Sequence, residues 1–235
     1  MTITESTITA GGFTPVALDL YRDIHKAIRT ELFAVTTEAG RLDPGDRDGR
    51  AALAGHVGDA VALLQSHAEH EDTAVQPSIE AHLPALAERI ERDHLSIEAW
   101  METLVALAGD AMDADAAQQA HRVHHLYLEL GSFTAAYLHH QDIEERVVMP
   151  ALEAAVGVEE VAVIHQAIIA SIPPQQMASS LALMLPAMNI DNRAELLGGM
   201  RAGAPAEVFE GVWALAASVL DPTDHRALAR RMAIG

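Results

Sequence analysis

Two stretches of this chain carry the residue types of a metal site, and they are copies of one pattern. The first runs Gln65-Ser-His67-Ala-Glu-His70-Glu71 and on to Pro77; the second runs Leu138-His139-His140-Gln-Asp-Ile-Glu144-Glu145 and on to Pro150. Each holds His-x-x-x-Glu with a proline ten residues after the histidine. On an α-helix, residues four apart lie about 40° apart around the axis and about 6 Å along it. His67 therefore shares a face with Glu71, and His140 with Glu144. A neutral imidazole and a carboxylate pointing the same way from adjacent turns make half of a site for a transition metal. One such pair is more often a solvated pair on a helix surface. Two copies with the same proline offset are a repeat.

The repeat extends upstream. His25 precedes the first copy and His94 the second, so His25, His67, Glu71 and Pro77 correspond to His94, His140, Glu144 and Pro150 roughly seventy residues on. Each half reads as a helical hairpin with one histidine on its first helix and His-x-x-x-Glu on its second. Two hairpins side by side give an antiparallel, up-down four-helix bundle whose core holds four histidines and two glutamates.

The elements that must position these residues are legible from their punctuation. Thr14-Pro15 predicts a helix start, with an apolar stripe of Val16, Leu20, Ile24, Ile28 and Leu32 running to about Ala39. Residues 40–49, rich in Gly, Pro and Asp, predict a loop. The second helix is expected from Arg50 to Pro77, where proline should kink or end it. The third spans about 84–108, and the fourth runs from Ala116 towards Pro150, with Asp115 and Gln118 as a capping box. Beyond Gly157 the metal-type spacing stops. Helices at about 158–170, 174–187, 191–201, 205–219 and 222–232 are expected, started at Pro173-Pro174, Asp191, Pro205 and Asp221-Pro222. Three regions are thus expected: a loose tail over 1–13, the bundle over 14–156, and a helical appendage over 157–235 that packs on the bundle.

Composition agrees with an all-α fold. Half of the 235 residues are hydrophobic, only 4% are aromatic, and alanine and leucine dominate. The formal net charge is −19, and Lys26 is the only lysine. Such a surface repels phosphate backbones and anionic lipids, so neither a nucleic-acid nor a membrane partner is expected. The absence of cysteine excludes disulfides, thiolate ligands and thiol nucleophiles. The N-terminal residues do not read as a signal peptide and no long apolar run occurs, so a cytoplasmic location is expected.

The remaining polar residues have plainer readings. His70 and His139 adjoin the repeat but point 100° or more away from its paired face. Glu91-x-x-His94 has the ferritin-type spacing, but a ferritin-like site needs two such pairs. Tyr21 and Tyr137 stand one turn before His25 and His140; each is either a phenol near the metal or a core tyrosine. His121, His124 and His125 lie several turns from the repeat. Met184 and Met188 read as core.

The pattern His … His-x-x-x-Glu … His … His-x-x-x-Glu, over about residues 15–155, resembles the hemerythrin-like (HHE cation-binding) domain. Val147-Val-Met-Pro150 resembles the apolar-apolar-Pro ending of that family's motif. The resemblance implies a non-haem di-iron centre with bridging carboxylates, ligated by His25, His67, Glu71, His94, His140 and Glu144; zinc can substitute for iron at such ligands. Where oxygen-carrying hemerythrins have a second third-helix histidine, this chain has Glu98. Where they have an aspartate five residues after the fourth-helix histidine, it has Glu145, with Glu144 at the fourth position. The resemblance is thus to the glutamate-rich bacterial branch. Glu98, Tyr21 and Tyr137 are further candidates for ligation or for hydrogen bonding to ligands. The function implied is binding of, or reaction with, a small oxidant (oxygen, hydrogen peroxide or nitric oxide) in sensing or detoxification. The alternatives are a metal-dependent interaction module without turnover, acting through a protein partner or a second copy at the C-terminal helices, and iron storage or donation for cluster repair.

Overall fold

A computed structural model of the chain describes residues 12–234; most of the expected N-terminal tail lies outside them. Among the described residues all regular structure is helical. Helix α1 spans Arg22–Arg41, α2 Arg47–His70, α3 Gln76–His82, α4 Pro84–Met112, α5 Gln119–Ile143 and α6 Met149–Val156. The C-terminal helices are α7 Val158–Ser171, α8 Pro174–Ala187, α9 Ile190–Gly203, α10 Ala206–Val219 and α11 Pro222–Arg231.

Helix α1 begins later than Thr14-Pro15 suggests. The backbone N–H groups of Tyr21 and Arg22 donate to the Asp19 carboxylate, which satisfies the first turn. Residues 17 and 18 are tied down instead by Glu153 of α6, which accepts from both backbone N–H groups. Asp46 caps α2 through Gly49 N–H, so that helix starts at Arg47 rather than Arg50. Asp115 accepts from Ala117 and Gln118 N–H, but the helix proper starts only at Gln119. At α9 the cap is Asn189, not Asp191: the Asn189 side chain accepts from Asn192 N–H.

Proline does not end the two repeat helices. A π-helical turn, Glu71–Val75, joins α2 to α3, and another, Glu144–Val148, joins α5 to α6. A proline ring collides with the carbonyl four residues back and offers it no N–H. One extra residue in the turn relieves this. The N–H of Gln76 reaches Glu71 O, and that of Met149 reaches Glu144 O, each five residues back and each just before the proline. The chain then continues helically.

Helices α1, α2, α4 and α5 form a closed ring of neighbours, α1 on α2 and α5, α4 on α2 and α5. The pairs Thr36–Thr134 and His25–Glu145 show α1 and α5 antiparallel. Trp100–Glu129 and Arg122–Asp110 do the same for α4 and α5. The main core fills one end of this ring with Ile28, Leu32, Val57, Leu64, Leu104, Leu126, Leu130 and Phe133. Each contributes about 1.5–3 kcal/mol by leaving water. A second cluster lies beyond the histidines and joins Val75, Ile79, Ile90, Val148 and Leu152 to Ile164 of α7.

Helix α7 therefore shares the bundle's core, and Val161 packs on Tyr21 and Met149. Gly157, at φ 85°, turns the chain between α6 and α7 in a conformation that suits glycine. Helices α8–α11 have a core of their own, built on Leu185, Leu197, Ala216, Leu220 and Leu228. Buried Arg193 staples it, donating to Leu185 O and Pro186 O and pairing with Asp224 of α11. Helix α8 lies along α1. Arg22–Glu195, Lys26–Asn192 and Gln176–Ser66 tie this unit to α1 and α2.

Candidate metal centre

The ring brings His25 from α1, His67 from α2, His94 from α4 and His140 from α5 to one level, with Glu71 and Glu144 at the starts of the two π turns. Five of the six are buried, His25 and Glu144 almost completely, and His94 is half-buried. Two groups of ligating atoms form, and the glutamates belong to both. His25, His67, Glu71 and Glu144 make one; His94, His140, Glu71 and Glu144 make the other.

The distances show how the carboxylates divide. Glu71 Oε1 is 3.1 Å from His67 Nε2, and its Oε2 is 3.4 Å from His94 Nε2. Glu144 Oε1 is 2.9 Å from His140 Nε2, and its Oε2 is 3.4 Å from His25 Nε2. Each carboxylate thus offers one oxygen to each histidine pair, a bridging arrangement. The Nε2 atoms of His25 and His67 approach to 3.1 Å.

The outer nitrogens of two histidines are held from behind. His25 Nδ1–H donates to Glu145 Oε1 at 3.0 Å, and His94 Nδ1–H donates to Asp72 Oδ1 at 2.9 Å. A carboxylate only accepts, so Nδ1 carries a hydrogen in each ring and Nε2 faces the cluster, where it takes either a metal or a second proton. Arg29 pairs with Glu145 at 2.9 Å and steadies it. Asp72 and Glu145 each directly follow a cluster glutamate and each reaches the histidine of the other hairpin. Glu145 was read from the sequence only as standing where the oxygen carriers have an aspartate, and Asp72 was missed. The signal was present: an acidic residue five after the histidine in both copies.

Electrostatics show what this cluster lacks by itself. Burial, and then the facing Glu144 carboxylate, raise the Glu71 pKa to about 7. Burial also disfavours charge on Glu144, yet the facing His140 and His94 imidazoles hold its pKa below the usual carboxylate range. Two carboxylates this close do not both ionise without a cation. Burial and the neighbouring His25 push His67 well below its ordinary value. Burial opposes charge on His94, but Asp72, Glu144 and Glu71 outweigh it and push that pKa up to about 12. Both oxygens of Glu71, Oε2 of Glu144 and Nε2 of His94 are buried without a hydrogen-bond partner. Uncompensated buried polar atoms cost about 1–3 kcal/mol each. Four of them converging on one point fit a bound cation, and an imidazole–carboxylate donor set suits iron or zinc.

Of the further candidates, Tyr21 and Tyr137 are buried; Tyr21 packs at a tilt on His25 and Tyr137 meets His140 edge-on, with ring centroids 5.1 and 5.7 Å apart. Burial and the nearby Glu71 and Glu144 raise both phenol pKa values, so both stay protonated. Glu98 is exposed and belongs to neither group of ligating atoms. It lines a cavity of about 230 Å³ that also touches His94, His140 and Tyr137. His139 is exposed, and Glu91 is exposed as well.

An all-helical bundle whose core carries four histidines around two shared glutamates defines a class: helical bundles with a buried imidazole–carboxylate cluster suited to metal. The family profile described as the hemerythrin HHE cation binding domain matches residues 16–152. The chain belongs to this family, and metal binding follows from the family together with the clustered donors. Comparisons with curated proteins and with solved structures give no significant match. Among the described residues no helix is long and apolar enough to cross a membrane.

Proposed function

We propose that this chain is a non-haem di-iron protein that binds or reacts with a small oxidant, oxygen, hydrogen peroxide or nitric oxide, in sensing or detoxification. One observation carries the reading: each glutamate presents one oxygen to each histidine pair, so the donors form two equivalent half-sites sharing two bridges. His25 and His67 would hold one ion, His94 and His140 the other, and Glu71 and Glu144 both. Two irons held there supply paired one-electron changes and, with only six side chains for two octahedral ions, open coordination positions.

The chain's own residues shape what reaches that point. Leu64, Ile97 and Met101 line the cavity beside His94 and His140 together with Gln65, Glu69, Asp72 and Thr73, a mixed wall that suits small polar and apolar oxidants alike. The exposed Glu98 carboxylate stands at the same cavity and is placed to pass protons between solvent and the interior. Tyr21 and Tyr137, protonated and packed against His25 and His140, hold those rings in place.

A second reading, a metal-dependent interaction module without turnover, draws on the grip of α8 and α9 on the helix that carries His25. The experiment separates the two. Protein from iron-rich culture is analysed for metal, and its visible spectrum is recorded before and after reduction. The anaerobic reduced protein is then mixed with each oxidant in stopped flow. Two irons per chain and repeated consumption of peroxide or nitric oxide support the enzyme; a single spectral change without turnover supports the sensor. Two bound irons with no response to any oxidant would refute the oxidant reading and leave the interaction module standing.

A further inference from the structure

A second cavity, of about 240 Å³, lies on the far side of the histidine cluster, between α1 and α2 of the bundle and α7, α8 and α9. Its floor is His67 and Glu71. Its walls are aliphatic: Ile168 and Ile172 of α7, Leu181 of α8 and Leu196 of α9 face Ile24 and Leu63. Three of the chain's nine methionines, Met177, Met184 and Met200, complete them. Everything contributed by α7, α8 and α9 lies outside the family-matched span of 16–152.

Its chemistry selects a ligand. An apolar cavity of about 150 Å³ accommodates one benzene ring, so a space half as large again takes a molecule of about eight to ten carbons. Methionine walls adapt to shape and do not demand a rigid fit. The carboxylates of Asp19, Asp23 and Glu71 belong to the lining, beside the histidines His67, His70 and His165, and the chain's net charge is −19. An anionic headgroup is repelled there, and no lysine or arginine lines the chamber to receive one.

We propose that this chamber binds a neutral, mainly aliphatic molecule of about eight to ten carbons with one small polar head, such as an alcohol, aldehyde or hydroperoxide, its head towards His67 and Glu71. The proposal concerns binding by this chain's side chains and does not rest on the oxidant reading; either can fail alone.

The test uses full-length protein with ¹³C-methyl-labelled methionine, titrated with 1-hexanol, 1-octanol, 1-decanol and octanoate and followed by NMR. The Met177, Met184 and Met200 methyls shift on adding 1-octanol, while Met112 at the far end of α4 stays in place. Each additional pair of methylenes tightens binding about tenfold until the chamber fills. Octanoate binds at least tenfold more weakly than 1-octanol. Ser180→Phe and Met184→Trp, which fill the chamber from separate positions on α8, each weaken 1-octanol at least tenfold, with circular dichroism confirming that they fold. No shift in the three methyls up to the alcohols' solubility overturns the proposal. So does wild-type affinity in both folded variants, or octanoate binding as tightly as 1-octanol.

Discussion

Asp72 and Glu145 act through other residues, and their worth can be measured. Each carboxylate fixes the tautomer and orientation of a cluster histidine, and partners of this kind are typically worth about 10–100-fold in metal affinity. Asp72→Asn and Glu145→Gln should each weaken iron or zinc binding by about that factor in a competitive chelator titration, with helical content unchanged. Wild-type affinity in both would show that the histidines need no support. Removing a ligand is harsher: His67→Ala and His140→Ala should each lower metal content and melting temperature together, because a metal that binds only the folded state stabilises it. His56 is a different case. It lies on α2 between Glu31 and Glu38 of α1, at 2.8 and 2.5 Å. Burial opposes its charge, but the two carboxylates prevail and raise its pKa above the ordinary value. The unfolded value is about 6.5, so this stabilisation is fully present below that pH and is lost as pH rises through the higher folded value. With partly exposed partners it amounts to about 1 kcal/mol or less. His56→Ala should therefore destabilise the protein at pH 6 and be close to neutral at pH 9.5 in urea titrations.

The two π turns are what make a proline compatible with a continuous core. Val75 and Ile79 follow the first and are almost wholly buried. Deleting Thr73 would restore ordinary α-helical spacing and rotate both by about 100° away from the core. Losing two such side chains should cost about 3–6 kcal/mol of unfolding free energy, whereas Pro77→Ala, which keeps the residue count, should cost under about 1 kcal/mol. Equal stabilities in the two variants would mean that the extra residue has no structural role. The π turns also explain what was and was not legible beforehand. The six clustered residues and the four long helices followed from i, i+4 spacing and internal repetition, which depend on local geometry alone. Proline was read as a kink or a helix end because its local effect is disruptive, and only packing of Val75, Ile79, Val148 and Leu152 makes the wider turn worthwhile. The start of α1 was misplaced for a similar reason: Thr14-Pro15 is a good local signal, but Glu153, more than a hundred residues away, holds residues 17 and 18 out of the helix. Helices α8–α11 were legible to within a few residues from Pro174, Pro205 and Pro222. The division of that appendage, α7 in the bundle's core and α8–α11 around a core of their own, was not, since it rests on long-range contacts.

The whole molecule is a metal-carrying bundle with a lid. Helices α8–α11 have an independent core, and they reach the bundle through α1 and α2 beside the cluster. Val161 and Ile164 of α7, in contrast, fill the bundle's own interior. A cut after Ile172 therefore separates cover from core better than a cut at residue 157. The shortened chain keeps the family-matched span, the ring of four helices, all six cluster residues and the plug formed by α7. It loses Leu181, Met184, Leu196 and Met200, which roof the chamber over His67 and Glu71. It also loses Asn192 and Glu195, the partners of Lys26 and Arg22 on the helix that carries His25. Metal affinity depends on ligands that remain, so equilibrium metal content should stay within about a factor of ten of the full chain. The escape route from His67 and Glu71 is now open to water, so extraction by a large hydrophilic chelator should run at least tenfold faster. Extraction at the full chain's rate would mean that the metal leaves through the other cavity, past Glu98. Loss of metal at equilibrium as well would mean that α8 and α9 hold α1, and with it His25, in register.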